Sequence, residues 1–181
     1  MQPKQTREDF IIKSVKILPL LYLKASLLEI PEPVFDDQPE RFVTEEDYLY
    51  VKEQVEQMLG ADDSYLEVFH PDMALSDTPI AAFVSENVAD IYQELKDFAA
   101  NYQTVDTDIM NDALVACLQG FADHWGQKLL NALRALHAVR FSDSFVPEDN
   151  AEKVSGRSID RNSFLGFLHD DEDEELNDKF L

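Results

Sequence analysis

"VSENVADIYQELKDFAANY", Val84–Tyr102, is the stretch whose reading decides the fold class. Val84, Val88, Ile91, Leu95, Phe98 and Tyr102 recur at alternating steps of four and three. This is the stripe that one face of an α-helix presents to a neighbouring helix at a shallow crossing angle. Upstream, Asp77-Thr78-Pro79 reads as a cap followed by a first-turn proline, so the helix is expected to begin there. Downstream, "TVDTD" (Thr104–Asp108) breaks the pattern. A second long helix follows, from about Asp108 to Val139, with Leu114, Leu118, Phe121, Trp125, Leu129, Ala132, Leu136 and Val139 on its inner face. A connection this short makes the two helices antiparallel neighbours.

The rest of the first 140 residues extends the same pattern. Between Arg7 and Glu29, Phe10, Ile11, Val15, Leu18, Leu21 and Leu28 form an apolar stripe, and Pro19 is expected to kink it. "PEPVFDDQP" (Pro31–Pro39) holds three prolines in nine residues and reads as a connector. The next helix starts at "TEED", with Thr44 as N-cap. It buries Tyr48, Val51, Val55 and Met58, and Gly60 is placed to end it in the left-handed conformation. "SYLEVF" (Ser64–Phe69) fits either a short extended segment or another helical turn. The fold class is all-α: an antiparallel bundle of about four to six helices over residues 1–140. Residues 141–181 read as an acidic, mobile tail, in which "FLGFL" (Phe164–Leu168) precedes "DDEDEE" (Asp170–Glu175). Phe164 and Phe167 are candidate docking residues there. The alternative is that Phe164, Leu165 and Leu168 pack back onto the bundle.

Charge narrows the function classes. The chain has 181 residues, with 37 acids against 15 bases and a net charge of −22. Such a field repels phosphates, which argues against nucleic-acid binding and favours a basic protein partner. The most apolar early run, Ile17–Leu23, lies between Lys16 and Lys24 and is far shorter than the roughly 20 residues of a membrane span. The N-terminal residues lack the order of a signal peptide, and one cysteine cannot form an internal disulfide. A cytoplasmic protein is expected, with no membrane partner.

Candidate sites were weighed against plain packing. A carboxylate-bridged metal centre needs paired Glu-x-x-His motifs on two helices. The chain offers that spacing at Glu67 and His70, with Pro71 directly after it. Cys117 and His124 are poorly spaced for a nucleophile pair, and no phosphate loop, nucleophile elbow or zinc spacing occurs. No cofactor, metal or catalytic set is therefore expected. Glu86, Asp90, Glu94 and Asp97 form an acidic stripe opposite Val88, with Glu86 and Asp90 level with His124. Setting Trp125 to zero, at about 100° per residue, puts His124 near 260°, on the polar arc. The two polar faces should then both point to solvent, unless another segment covers them. On the same wheel His137 falls inside the apolar arc and Arg134 on its edge. They could line a pocket in which Arg134 holds an anion and His137 exchanges a proton. Gly126, with Ala122 one turn earlier, reads as a small patch for close packing.

Three stretches together resemble a known family: "ILPLLYLKASLL" (Ile17–Leu28), "SENVADIYQELKDF" (Ser85–Phe98) and "HWGQKLLNALRALH" (His124–His137). They look like the bacterial domain-of-unknown-function family 5063, over about residues 7 to 140. The resemblance implies a helical fold and supplies no catalytic residues. Three functions follow as expectations: a non-enzymatic interaction module, a small-molecule sensor or enzyme built on Arg134 and His137, and, ranked well below the first, a mimic of nucleic acid.

Overall fold

Four long helical runs are built from locally legible signals. The structure is a computed structural model that describes residues 6–67 and 80–145. All of these lie within the compact unit Met1–Phe145. The second unit, Val146–Leu181, and with it Phe164 and Phe167, lies outside the described residues.

Helix α1 (Arg7–Ser26) is capped by the Thr6 hydroxyl, which accepts from the Asp9 amide at 3.2 Å, and it is continuous through Pro19. Ile11, Leu18 and Ala25, each seven residues from the next, are its buried residues. The expected stripe ends there: Leu28 lies beyond the last turn and is mostly exposed. Helix α2 (Glu45–Leu59) starts at the expected N-cap, Thr44, which in the structure closes a capping box. The Thr44 side chain accepts from Asp47 N, and the Asp47 carboxylate accepts from Thr44 N. It buries Val55 and Leu59, while Tyr48, Val51 and Met58 are half-buried. Gly60 has φ of 56° but ψ of −120°, so glycine is needed for the positive φ although the turn is not the left-handed helical one. A 3₁₀ turn (Gly60–Asp63) leads into strand β1 (Ser64–Glu67). Strand β1 pairs antiparallel with β2 (Ile80–Phe83), in the register Ser64 to Phe83 and Glu67 to Ile80.

That hairpin corrects the expected start of the central helix. Helix α3 runs Val84–Tyr102, and no side chain of its own caps it. The cap comes from 22 residues upstream: Asp63 accepts from Ser85 N and from Ser85 Oγ, both at 2.7 Å. Asp63 and Ser85 are both buried, and the carboxylate meets the orphan amides and positive end of the helix. The strand pairing of Ile80–Phe83 therefore wins over the local Thr78-Pro79 signal, whose residues lie outside the described set.

Helix α4 (Thr107–Gly120) is capped by Asp106, which accepts from Asp108 N and Ile109 N. It passes through a π-helical segment (Phe121–Trp125) into α5 (Gly126–Arg140). The run from Thr107 to Arg140 is the second long helix expected, with an interruption that was not. The Gly126 amide donates to the Phe121 carbonyl, five residues back. A Cβ on Gly126 would stand 2.9 Å from two atoms of the Phe121 ring, so the close packing is with its own preceding turn. Trp125 is buried, and its indole donates to the Cys117 carbonyl at 2.9 Å.

Helix α3 is central, in contact with α2, α4 and α5, and α1 packs on α5. One core joins Ile11, Leu18 and Ala25 of α1 to Val84 and Ile91 of α3, and to Trp125, Leu129, Ala132 and Leu136. Large side chains fully buried in this way contribute about 1.5–3 kcal/mol each. Phe145 is also buried, with the Arg140 guanidinium 4.8 Å from its ring centroid.

Candidate functional site

The chain's polar side chains converge on a seam where the connector between α1 and α2 crosses α3 and α4. Six backbone groups of the connector bond to side chains of α3 and α4 in place of a strand partner. Asp112 of α4 accepts from Val34 N and Phe35 N, both at 2.7 Å. Asp97 of α3 accepts from Phe42 N at 2.7 Å and Val43 N at 2.8 Å. Asn111 donates to the Glu32 carbonyl and Asn101 to the Glu40 carbonyl, each at 2.8 Å. Charged acceptors make stronger bonds than neutral ones, and an unpaired buried amide is costly. Asp112 and Asn101 are buried, so the connector is held by groups that cannot exchange it freely for water. The amides of Val34 and then Phe35, opposed by some burial, hold the Asp112 carboxyl below the usual carboxylate range.

The remaining acids of the stripe are also engaged. Glu86 accepts from Lys52 of α2 at 2.8 Å. That hydrogen bond raises the Lys52 ammonium above its ordinary value. Asp90 accepts from the Tyr48 hydroxyl at 2.9 Å, with Lys128 at 3.6 Å and His124 at 3.8 Å. Burial first, and then the Asp90 carboxylate, push the Tyr48 phenol well above its usual range. Glu94 lies 3.9 Å from Arg41 of the connector. Burial, with Glu94 adding to it, raises the Cys117 thiol to about 11.

Two clefts lie beneath the connector. The larger, about 210 Å³, is lined by residues of the connector from Pro33 to Pro39 and by Asp112, Val115, Ala116 and Gln119 of α4. The smaller, about 40 Å³, lies between Arg41, Glu94, Asp97 and Cys117. Neither cleft touches Arg134 or His137.

The structure thus redistributes the expected site residues. Glu86, Asp90 and Glu94 do not face open solvent; all three are half-buried beneath α2 and the connector. Asp90 and His124, placed on diverging faces by the wheel, come within 3.8 Å. His124 stays exposed, as the wheel has it; what the wheel lacks is α2, whose Tyr48 covers the Asp90 side of the stripe. His137, expected inside the apolar arc, is exposed, with its ring 4.6 Å from that of Phe141. Arg134 is exposed too, so the two do not form a sealed pocket. Glu67 is in β1, the extended one of the two readings of that stretch, and accepts from Asn131 at 3.0 Å; His70 lies outside the described residues.

Asp63, Asp112, Asn101 and Asn111 were missed by sequence reasoning. The available signal was position: Asp112 falls among Ala113, Val115 and Leu118, where a carboxylate needs a donor. Chemically, the seam is suited to holding backbone in place. Its phenol and thiol are kept protonated near neutral pH, and its carboxylates already accept from internal donors. Among the described residues, no group of three or more His, Cys, Asp or Glu side chains is placed to hold a metal ion. No helix there is long and apolar enough to cross a membrane.

Comparison with known proteins agrees with the fold. Residues 2–142 match the family model described as Domain of unknown function (DUF5063). The chain is also similar to a crystal structure of protein BF1032 from Bacteroides fragilis. The identity is 41% and the TM-score 0.68, covering 78% of this chain and 82% of that one. No protein of curated function matches. With the family model spanning the whole described unit up to residue 142, this chain belongs to the DUF5063 family.

Proposed function

We propose that this chain is a non-enzymatic protein-interaction module of the cytoplasm. The observation that carries the reading is the outward face of α1. Ile17, Leu20 and Leu23, of the apolar run Ile17–Leu23, and Leu27 at the helix end are 58%, 52%, 53% and 73% exposed. Soluble monomers rarely leave a contiguous apolar patch of this kind without a use for it. The seam supports the same reading from the other side, because its ionisable groups serve to tie the connector and α2 to α3. The net charge of −22 supports basic proteins as partners for the remaining acidic surface.

The test is affinity capture on immobilised full-length chain, beside an unrelated folded protein of matched net charge. A saturable partner retained by this chain alone is the expected result. Recovery of the same background on both surfaces would overturn the reading.

A further inference from the structure

We infer that the outward face of α1 is a docking surface for an acidic amphipathic helix of another protein. The inference rests on the interaction-module reading and adds the chemistry of the partner. Helix α1 turns Ile11, Leu18 and Ala25 toward the core. At about 100° per residue, the opposite arc carries Lys16, Leu27, Leu20, Lys13, Lys24 and Ile17 in order. All six are exposed. Half of that arc is leucine or isoleucine and the other half lysine, where the outer face of a surface helix is ordinarily polar throughout.

Size and charge select the occupant. Each exposed Leu or Ile leaves on the order of 100 Å² of apolar surface in water. With Leu23 beside Lys16 on the helix, and Leu28 and Ile30 past its end, the face approaches the roughly 800 Å² per partner of a standard interface. Between Asp9 and Glu29 the chain has no acid, and its charges are Lys13, Lys16 and Lys24. In a chain of −22 this is a locally basic, apolar strip. Two copies meeting face to face would bring six lysines together. An anionic bilayer would attract the strip and repel the rest of the chain. A helix with leucines at three- and four-residue spacing, flanked by glutamates, satisfies both the apolar patch and the lysines, without either penalty.

The test uses full-length protein and a fluorescent synthetic helix of leucines at that spacing flanked by glutamates. Its counterpart carries lysines in place of the glutamates, and vesicles of equimolar phosphatidylcholine and phosphatidylglycerol form a third arm. The glutamate helix should bind, and should weaken by about tenfold or more between about 0.05 M and about 0.5 M NaCl. Leu20→Gln/Leu27→Gln should abolish binding while circular dichroism and Tm stay unchanged. If that pair disturbs folding, Leu27→Gln alone, at the most exposed position, serves instead. Lys13→Glu/Lys16→Glu/Lys24→Glu should transfer the preference to the lysine helix.

Binding of both helices alike, or of neither, overturns the proposal. So does vesicle binding that Leu27→Gln removes in the absence of helix binding, which would assign the face to a membrane. A concentration-dependent dimer dissolved by Leu27→Gln would assign it to a second copy, and also overturns it. Capture of a partner that survives Leu20→Gln/Leu27→Gln would leave the interaction-module reading standing and remove this inference alone.

Discussion

Val105 sits in the turn between α3 and α4 with φ of 62° and 82% of its surface exposed. A β-branched residue at positive φ brings Cβ against its own backbone, at about 1–3 kcal/mol, and an exposed side chain recovers little of that through packing. Val105→Asn should therefore raise stability by about 1 kcal/mol in urea denaturation, since asparagine tolerates this region. A neutral or destabilising result would show that the side chain has a contact that outweighs the strain. Asp112 calls for a different measurement. Its folded-state pKa is lowered, so its contribution is fully present above the unfolded value of about 3.9 and disappears as pH falls through the folded value. Asp112→Asn keeps one acceptor for two amides and should lower Tm by a few degrees at neutral pH. The gap to wild type should stay constant down to about pH 5 and close only below about pH 4. A gap that opens further in acid would mean that the carboxylate is not what holds Val34 and Phe35.

At the scale of elements, the π segment makes the sharpest prediction. Replacing a helical glycine with alanine ordinarily gains about 1 kcal/mol. At Gly126 the new methyl would meet the Phe121 ring at 2.9 Å as well as its carbonyl, and overpacking costs about 1–3 kcal/mol. Gly126→Ala should thus destabilise, by up to about 2 kcal/mol in chemical denaturation; a stabilised variant would show that the turn relaxes to an α-helix. Much at this scale was legible in sequence: the Thr44 N-cap, the Val84 stripe, and the long helix placed at about Asp108 to Val139. What escaped was non-local. Asp63 caps α3 from across the hairpin, and Ile80–Phe83 forms a strand because Ser64–Glu67 is there to pair with it.

For the whole molecule the balance to settle is between self-repulsion and internal pairing. A charge of −22 opposes compaction. Among the described residues, pairs that offset it, such as Arg7–Asp62, Lys52–Glu86, Arg41–Glu94 and Lys128–Asp90, lie at least partly in water, where such pairs contribute about 0–1 kcal/mol each. Repulsion should dominate, so Tm should rise as NaCl increases from about 0.02 M to about 0.5 M and the screening length contracts. A falling Tm in calorimetry would place the ion pairs ahead of the repulsion. The candidate site was less legible than the fold for the same reason: the acids of α3 were identified, but the donors that occupy them arrive from α2 and a connector with no periodicity of its own. The π turn has a consequence for how this helix tolerates change in length. The wide turn already absorbs one residue more than an α-helical turn, so one residue removed between Phe121 and Trp125 would leave a regular helix from Thr107 onward with both halves close to their present orientation. A residue removed within α5 has no such slack and would rotate everything after it by about 100°. The segment acts as a length buffer between two packing surfaces, so a deletion there should be tolerated far better than the same deletion one turn later.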